Sequence, residues 1–357
     1  MGSEMCIRDR SVGTPISQEL MSGLDSDQKS DFLRLQVYLK DSEFDPSWPA
    51  SSDDVVEEKP LGPEPDQSLI RDEIDGLPGN QKVADFKQFS TYYGYQEQMP
   101  AVVQEISRLR ELTFRTMDEG SGEAYDTDEY DATYTHLFVC DNSNDGEIIA
   151  AYRMGQTDRL QEKAGIDGIY LSQMFKFGAN FLNQREPCLE MGRSFIVPKH
   201  QRTFYGLSLL WKGIGGFLAQ HHRYRYLYGT VSLSKLYRIS SVSLMKAVLV
   251  QPGADVQPRI AYDYPVHPEV SDYLAKHDVD LAHLSKLIRA NEHDGKDVPI
   301  LVKQYAKLGA KFHTVAIDPN FAATPGMLLS VHVPSCPPKS LKSYFEGDYQ
   351  AYLEYDG

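Results

Sequence analysis

The sequence predicts an α/β (α+β) fold, and three observations predict it. Residues 100–117 repeat apolar side chains at helical spacing. Residues 135–155 read as two apolar strands around a turn-rich step. Residues 188–233 run strand, basic loop, helix, strand, the order of an α/β ligand-binding unit.

Taken in order, MGSEMCIRDR has the look of a cloning or adapter remnant and is set aside from fold reasoning. DFLRLQVYLK (Asp31–Lys40) has helical periodicity, and residues 1–40 are read as the end of a domain that starts upstream. From Asp41 to Asp75 the chain carries twelve Asp/Glu, two Lys/Arg and five Pro. Such a stretch buries too little apolar surface to offset its ordering entropy, so residues 41–82 are read as an acidic linker.

The main domain is expected over residues 83–334. Its first helix begins at Pro100, since proline is suited to the first helical position, with Val103, Ile106, Leu109, Leu112 and Thr113 on one stripe. THLFVCD and EIIAAYRMG form the hairpin, CLEMGRSFIV the next strand, LSLLWKGIGGFLAQHH a long helix and YRYLYGTVSL a further strand. Residues 255–298, charged and rich in histidine, are expected as a helical insertion. PILVKQYAKLGAK then forms a helix stopped at Gly309, followed by strands FHTVAIDP and MLLSVHV, and residues 335–357 form a tail.

Composition narrows the function. No run approaches the roughly 20 apolar residues of a membrane span and no apolar secretion signal opens the chain, so a cytoplasmic protein is expected. The four cysteines fit neither a disulfide framework nor a zinc site; no metal is expected, and Cys140 and Cys188 are read as buried thiols. A net charge of -15 and no aromatic stacking pattern argue against nucleic acid. Yet between Met191 and Ala254 there is no Asp or Glu, while Arg193, Lys199, Arg202, Lys212, Arg223, Arg225, Lys235, Arg238 and Lys246 fall there. That pattern predicts one positive face for an anionic partner.

The loop before the long helix places Gln201, Arg202 and Gly206 where backbone N–H groups and the helix dipole hold a phosphate; a solvated basic loop is the alternative. Glu190 and Arg193 interrupt an otherwise apolar strand, where ionised groups are rare without a partner. Strand alternation puts them on opposite faces unless a bulge intervenes. A desolvated carboxyl rises towards the range of a general base, which makes Glu190 the candidate; the alternative is a strand-fixing pair with Arg153 or Arg110. Asp128 and Asp131 either hold a cationic amine or cap a helix start.

The ordered set Leu109-Arg110-x-x-x-Phe114, Asp128-x-x-Asp131, Tyr152-Arg153-Met154 and Glu190-x-x-Arg193-Ser194 resembles the autoinducer synthases and the hemolysin-like, ornithine-lipid N-acyltransferases of the GNAT superfamily. It is closest to the C-terminal domain of Bacteroidetes proteins that fuse a lysophospholipid acyltransferase to such a domain. In those fusions a segment like DFLRLQVYLK and an acidic linker come first; the resemblance implies that the upstream domain, with its His-x-x-x-x-Asp motif, is missing here.

The resemblance implies a GNAT-like twisted mixed β-sheet flanked by helices, with an acyl chain in a cleft beneath it. It implies transfer of a long, in some relatives 3-hydroxylated, acyl group from acyl-carrier protein or acyl-CoA to the amine of ornithine, glycine or another amino acid in amino-lipid synthesis. Glu190, Arg193, Asp128, Asp131, Arg153 and Arg110 are the expected catalytic set. Phe195, Val197, Gln201, Arg202, Gly206 and Leu207 are expected on the pantetheine arm, and Phe114 and Phe177 on the substrate. The phosphate loop is a degenerate form of the superfamily's, so the choice between carrier protein and CoA stays open. Two alternatives remain: O-acylation of a lysophospholipid or glycerolipid, and a non-catalytic acyl-carrier or lipid-binding module. Lipid products imply peripheral contact with the inner face of the plasma membrane.

Overall fold

The computed structural model describes residues 13–49, 58–182, 187–201, 205–251, 253, 255–345 and 349–356. In chain order the strands are β1 Lys82–Phe86, β2 Phe89–Gly94, β3 Thr135–Asp141, β4 Glu147–Gln156, β5 Phe175–Phe177, β6 Cys188–Ile196, β7 Tyr226–Ser232, β8 Val256–Pro258, β9 Lys311–Asp318 and β10 Thr324–His332. The α-helices are α1 Ser26–Tyr38, α2 Gln67–Asp75, α3 Pro100–Arg115, α4 Thr157–Ala164, α5 Ala179–Leu182, α6 Gly206–Gln220, α7 Ile239–Leu249, α8 Pro268–Lys276, α9 Leu281–Asn291, α10 Ile300–Lys307, α11 Pro338–Tyr344 and α12 Tyr349–Leu353.

The chain divides into two compact units. One takes in the described residues of Met1–Pro49, Tyr237–Val250 and Asp263–Lys303. Here α1 buries Phe32 and Leu35, Asp31 meets Lys276 at 2.5 Å and His277 at 3.1 Å, and Asp45 accepts from Ser240 N–H at the start of α7 while pairing with Arg238. A carboxylate there offsets the positive end of the helix dipole. Residues 13–49, read from sequence as an upstream remnant and the start of a linker, therefore share a unit with segments nearly 200 positions later.

The other unit holds an eight-stranded sheet in the order β1-β2-β3-β4-β6-β7-β10-β9. Every neighbouring pair is antiparallel except β6 and β7. α6 contributes buried Leu209, Leu210, Ile214, Phe217 and Leu218 to the core. The expected linker contains α2, whose Ile70 and Ile74 are buried; one apolar stripe at i, i+4 suffices to dock a short helix that the acidic average concealed. Glu73 of α2 accepts from the N–H groups of Ala101 and Val102 at 3.0 and 2.9 Å, capping α3 behind Pro100. The expected tail also folds, with Leu341 of α11 and Tyr352 of α12 buried. The expected insertion is not all helical: β8 pairs with β5 in a small second sheet.

Two irregularities in the sheet set up the site. Ala151 pairs with Phe195 and Arg153 with Gly192, so Tyr152 alone faces both Arg193 and Ser194. This is a β-bulge, and Arg193 takes it up with φ +49°, a left-handed conformation uncommon outside glycine. Further, β6 and β7 pair only from Cys188↔Tyr226 to Met191↔Gly229, so beyond Met191 β6 keeps β4 as its one partner and the two parallel strands part. Gly229 sits at the fork, where any Cβ would run into the Met191 carbonyl. Gly229→Ala is expected to destabilise the fold by about 1–3 kcal/mol in urea denaturation, the cost of forced overpacking.

Candidate functional site

β6 carries Glu190 into the interior, where it is 2% exposed. Its carboxylate accepts from the Tyr134 hydroxyl at 3.0 Å and from Leu171 N–H at 3.2 Å. Tyr134 is itself fixed, its oxygen accepting from Tyr170 N–H at 2.8 Å. Burial pushes the Glu190 carboxyl up to about 7, against the lowering pull of the Tyr134 hydrogen bond and the Arg153 charge. Among the described residues Glu190 makes no ion pair, so the alternative of a strand-fixing pair with Arg153 or Arg110 is not what the structure contains.

Those arginines are engaged elsewhere, in a network of three guanidiniums and three carboxylates. Arg110 of α3 donates to both oxygens of Asp131, at 3.2 and 3.0 Å. It also donates to the Asp126 carbonyl, and its Nε lies 2.7 Å from Asp126 Oδ2, close enough for an ion pair though misaligned for a hydrogen bond. Arg153 of β4 pairs with Asp128, one bond being 2.9 Å, and with Asp131 at 3.0 Å. Arg193 donates to Asp126 at 3.1 and 3.2 Å, approaches Asp128 at 3.6 Å and donates to the Tyr170 hydroxyl at 3.2 Å.

Burial works to raise the Asp131 carboxyl, but Arg110 and Arg153 outweigh it and hold the group well below the usual carboxylate range. For Arg153, desolvation is likewise outweighed by Asp131 and Asp128, and its pKa is raised. The Arg153 guanidinium further lies 5.3–5.8 Å from the ring centroids of Tyr130, Tyr134 and Tyr170, a cation–π cage. The bulge thus resolves the strand-parity question: Glu190 reaches Tyr134 and Arg193 reaches Tyr170, two tyrosines of one layer.

Asp128 and Asp131, expected either to hold an amine or to cap a helix, do cap the 3₁₀ turn Glu129–Ala132, and their charges are met by the protein's own arginines. Phe114 is buried edge-on to Phe321 at 5.0 Å, and Phe177 stacks on Phe181 at 5.2 Å. Phe195 and Val197 are buried, Leu207 half-buried; Gln201 donates to the Ile196 carbonyl at 3.0 Å. Gly206 opens α6 in close contact with Ile196, at a helix start with no side-chain cap. Arg202 lies outside the described residues.

Five of the cations of the acid-free segment are met by the protein's own groups. Arg193 is in the buried network, and Arg225 is buried with its guanidinium on the Tyr352 carbonyl. Lys199 pairs with Glu147, Arg223 with Asp158 and Arg238 with Asp45. Absence of acids from a linear stretch says nothing of acids brought in from elsewhere. Conversely, Asp126, Tyr134 and Tyr170 hold the site together and went unnoticed in the sequence, since they sit in irregular segments without periodic spacing.

Residues 109–212 match the family model described as an acetyltransferase (GNAT) domain. A glycine N(alpha)-acyltransferase of Bacteroides thetaiotaomicron is 34% identical over 149 residues, 39% of this chain and 44% of that protein. The chain thus spans less than half the length of that relative. An L-ornithine N(alpha)-acyltransferase of Agrobacterium fabrum is 25% identical over 252 residues, 67% of this chain and 78% of that one. A solved N-acyl amino acid synthase from uncultured soil microbes superposes with a TM-score of 0.36 at 11% identity, covering 69% of this chain and 91% of that one. No described helix is long and apolar enough to cross a membrane.

Removing one partner from a buried ion network leaves an uncompensated charge, at about 3–5 kcal/mol. Arg110→Met is therefore expected to lower unfolding stability by that amount in urea titrations. Loss below about 1 kcal/mol would contradict the network described. The stretch that holds Arg110, Asp128, Asp131, Arg153, Glu190 and Arg193 is the one that matches the acetyltransferase (GNAT) domain model.

Proposed function

We propose that this protein is an amino-acid N-acyltransferase that moves a long acyl group from a phosphopantetheine thioester to the amine of an amino acid. The observation that carries the reading is Glu190: a buried carboxyl without an ion pair, held by one tyrosine and one backbone N–H, poised near neutrality and placed just before β6 parts from β7. The names of the partial relatives, glycine and ornithine N(alpha)-acyltransferases, support an amino-acid acceptor.

In this reading the acceptor amine, directly or through a water, loses its proton to Glu190 as nitrogen adds to the thioester carbon. Collapse then breaks the C–S bond; the amide leaves, and the thiolate departs to be protonated as thiol. No covalent acyl-enzyme is required. Beyond Met191 the open side of β6 offers backbone N–H groups around Gly192–Phe195 for the oxyanion. Arg110, Arg153, Arg193, Asp128 and Asp131 keep this geometry rigid. Phe195, Val197, Gln201, Arg202, Gly206 and Leu207 are assigned to the pantetheine arm and its phosphate, at the uncapped start of α6, and Phe114 and Phe177 to the acyl group or acceptor. The donor is acyl-carrier protein or acyl-CoA. Amino-lipid synthesis, with contact at the inner face of the plasma membrane, is the setting this chemistry suits.

A base works only when deprotonated, so kcat/KM for amide formation is expected to rise with pH and level off above an apparent pKa of about 7. Glu190→Gln is expected to lower kcat by about 10²–10⁴-fold. Ionising a buried carboxyl costs stability, so the penalty in wild type grows as pH rises from the unfolded pKa to about 7. The variant is spared it, and its Tm relative to wild type is expected to improve from pH 5 to pH 8. A Glu190→Gln enzyme that retains full turnover would sink the mechanism.

A further inference from the structure

A second buried carboxylate lies outside the mechanism. Glu119 follows α3 and is 6% exposed, yet its carboxylate has one hydrogen bond, from the Ser232 hydroxyl at 3.2 Å, and no ion pair among the described residues. Burial pushes it up to about 7, opposed only by that hydroxyl. Buried charges are as a rule paired; Asp126, Asp128 and Asp131 are, and among the carboxylates described above as part of the site Glu190 is the other exception.

The loop that presents Glu119 is built, not loose. Glu111, fully buried, accepts from Ser121 N–H at 2.9 Å, the Ser121 hydroxyl at 2.8 Å and Gly122 N–H at 2.9 Å. Ser234 donates to the Met117 carbonyl at 3.1 Å, and Glu119 N–H to the Phe114 carbonyl at 3.0 Å. The Phe114 ring meets Phe321, over which the Arg193 guanidinium lies at 5.0 Å.

Its position relates it to Glu190. Tyr228 is the strand partner of Glu190, and residues two and four along, Thr230 and Ser232, share its face. Ser232 therefore lies on the Glu190 side of the sheet, beyond the fork at Gly229, about 13 Å further along β7 at roughly 3.3 Å per residue. Glycine, reaching Glu190 with its amine, carries no second ammonium for Glu119; a diamino acid does.

We propose that Glu119, with Ser232, is the acceptor-side subsite for a second ammonium group, and that the preferred acceptor is a diamino acid. This rests on the acyltransfer reading above. The occupant completes the ion pair that the fold leaves open, and discrimination arises because an uncharged acceptor strands a buried carboxylate.

The test uses the full chain with palmitoyl-CoA and palmitoyl–acyl-carrier protein as donors, and with ornithine and norvaline as acceptors, which share a carbon skeleton and differ in the side-chain ammonium. Wild type is expected to favour ornithine at least tenfold in kcat/KM, mainly through KM. Glu119→Gln is expected to bring that ratio towards one, and Ser232→Ala, a milder change should the first variant fail to fold, to lower it in the same sense. Equal use of both acceptors by wild type, or a Glu119→Gln enzyme that loses both alike, overturns the subsite and leaves the acyltransferase reading standing. No amide from any acceptor, glycine included, with either donor overturns the acyltransferase reading and this inference with it.

Discussion

The structure around Glu190 depends on the mutual neutralisation of Arg110, Arg153 and Arg193 by Asp126, Asp128 and Asp131. Each of these ions alone is costly to bury, and only the closed set removes that cost. The set ties α3, the turn at 128–132, β4 and β6 into one block. It also explains how a seventh charged group is avoided next door: with every guanidinium saturated, Glu190 has no counter-ion to hold it ionised, and burial decides its proton affinity. The network and the near-neutral Glu190 carboxyl are thus two aspects of one arrangement, in which satisfying three aspartates leaves the glutamate without a counter-ion.

Geometry does the rest through two departures from a regular sheet. The bulge in β6 aims Glu190 and Arg193 at the same tyrosine layer, and the fork after Met191 and Gly229 removes one hydrogen-bonding neighbour from the strand just beyond. Unpaired backbone inside a protein is otherwise a liability; beside the buried Glu190 carboxyl it is where the proposed reaction would set its oxyanion. Both devices lie within five residues of Glu190.

Much of this was legible in the sequence. Helix and strand periods located α3, β3, β4, β6, α6 and β7 to within a few residues, because long apolar segments leave strong patterns. Ionised residues inside an apolar strand singled out Glu190 and Arg193, and the need for a bulge to bring them together was a matter of strand parity. The linker was misjudged because composition averages over residues, while docking α2 takes only Ile70 and Ile74. An acid-free stretch of sequence is not thereby free of acids in space, because sequence distance does not forecast ion pairing: Lys199 finds Glu147 and Arg223 finds Asp158. Tyr134 and Tyr170, two among 22 tyrosines, carry no local signature of their roles.

The capping of α3 by Glu73 has a wider consequence. One carboxylate spans the two leading N–H groups of the helix that bears Arg110, and it comes from a nine-residue helix in an acid-rich stretch. The α2 segment is consequently part of the scaffold: excising it as a dispensable spacer would fray the end of α3 and loosen the first of the three arginines, although Glu73 is not among the partners of Glu190.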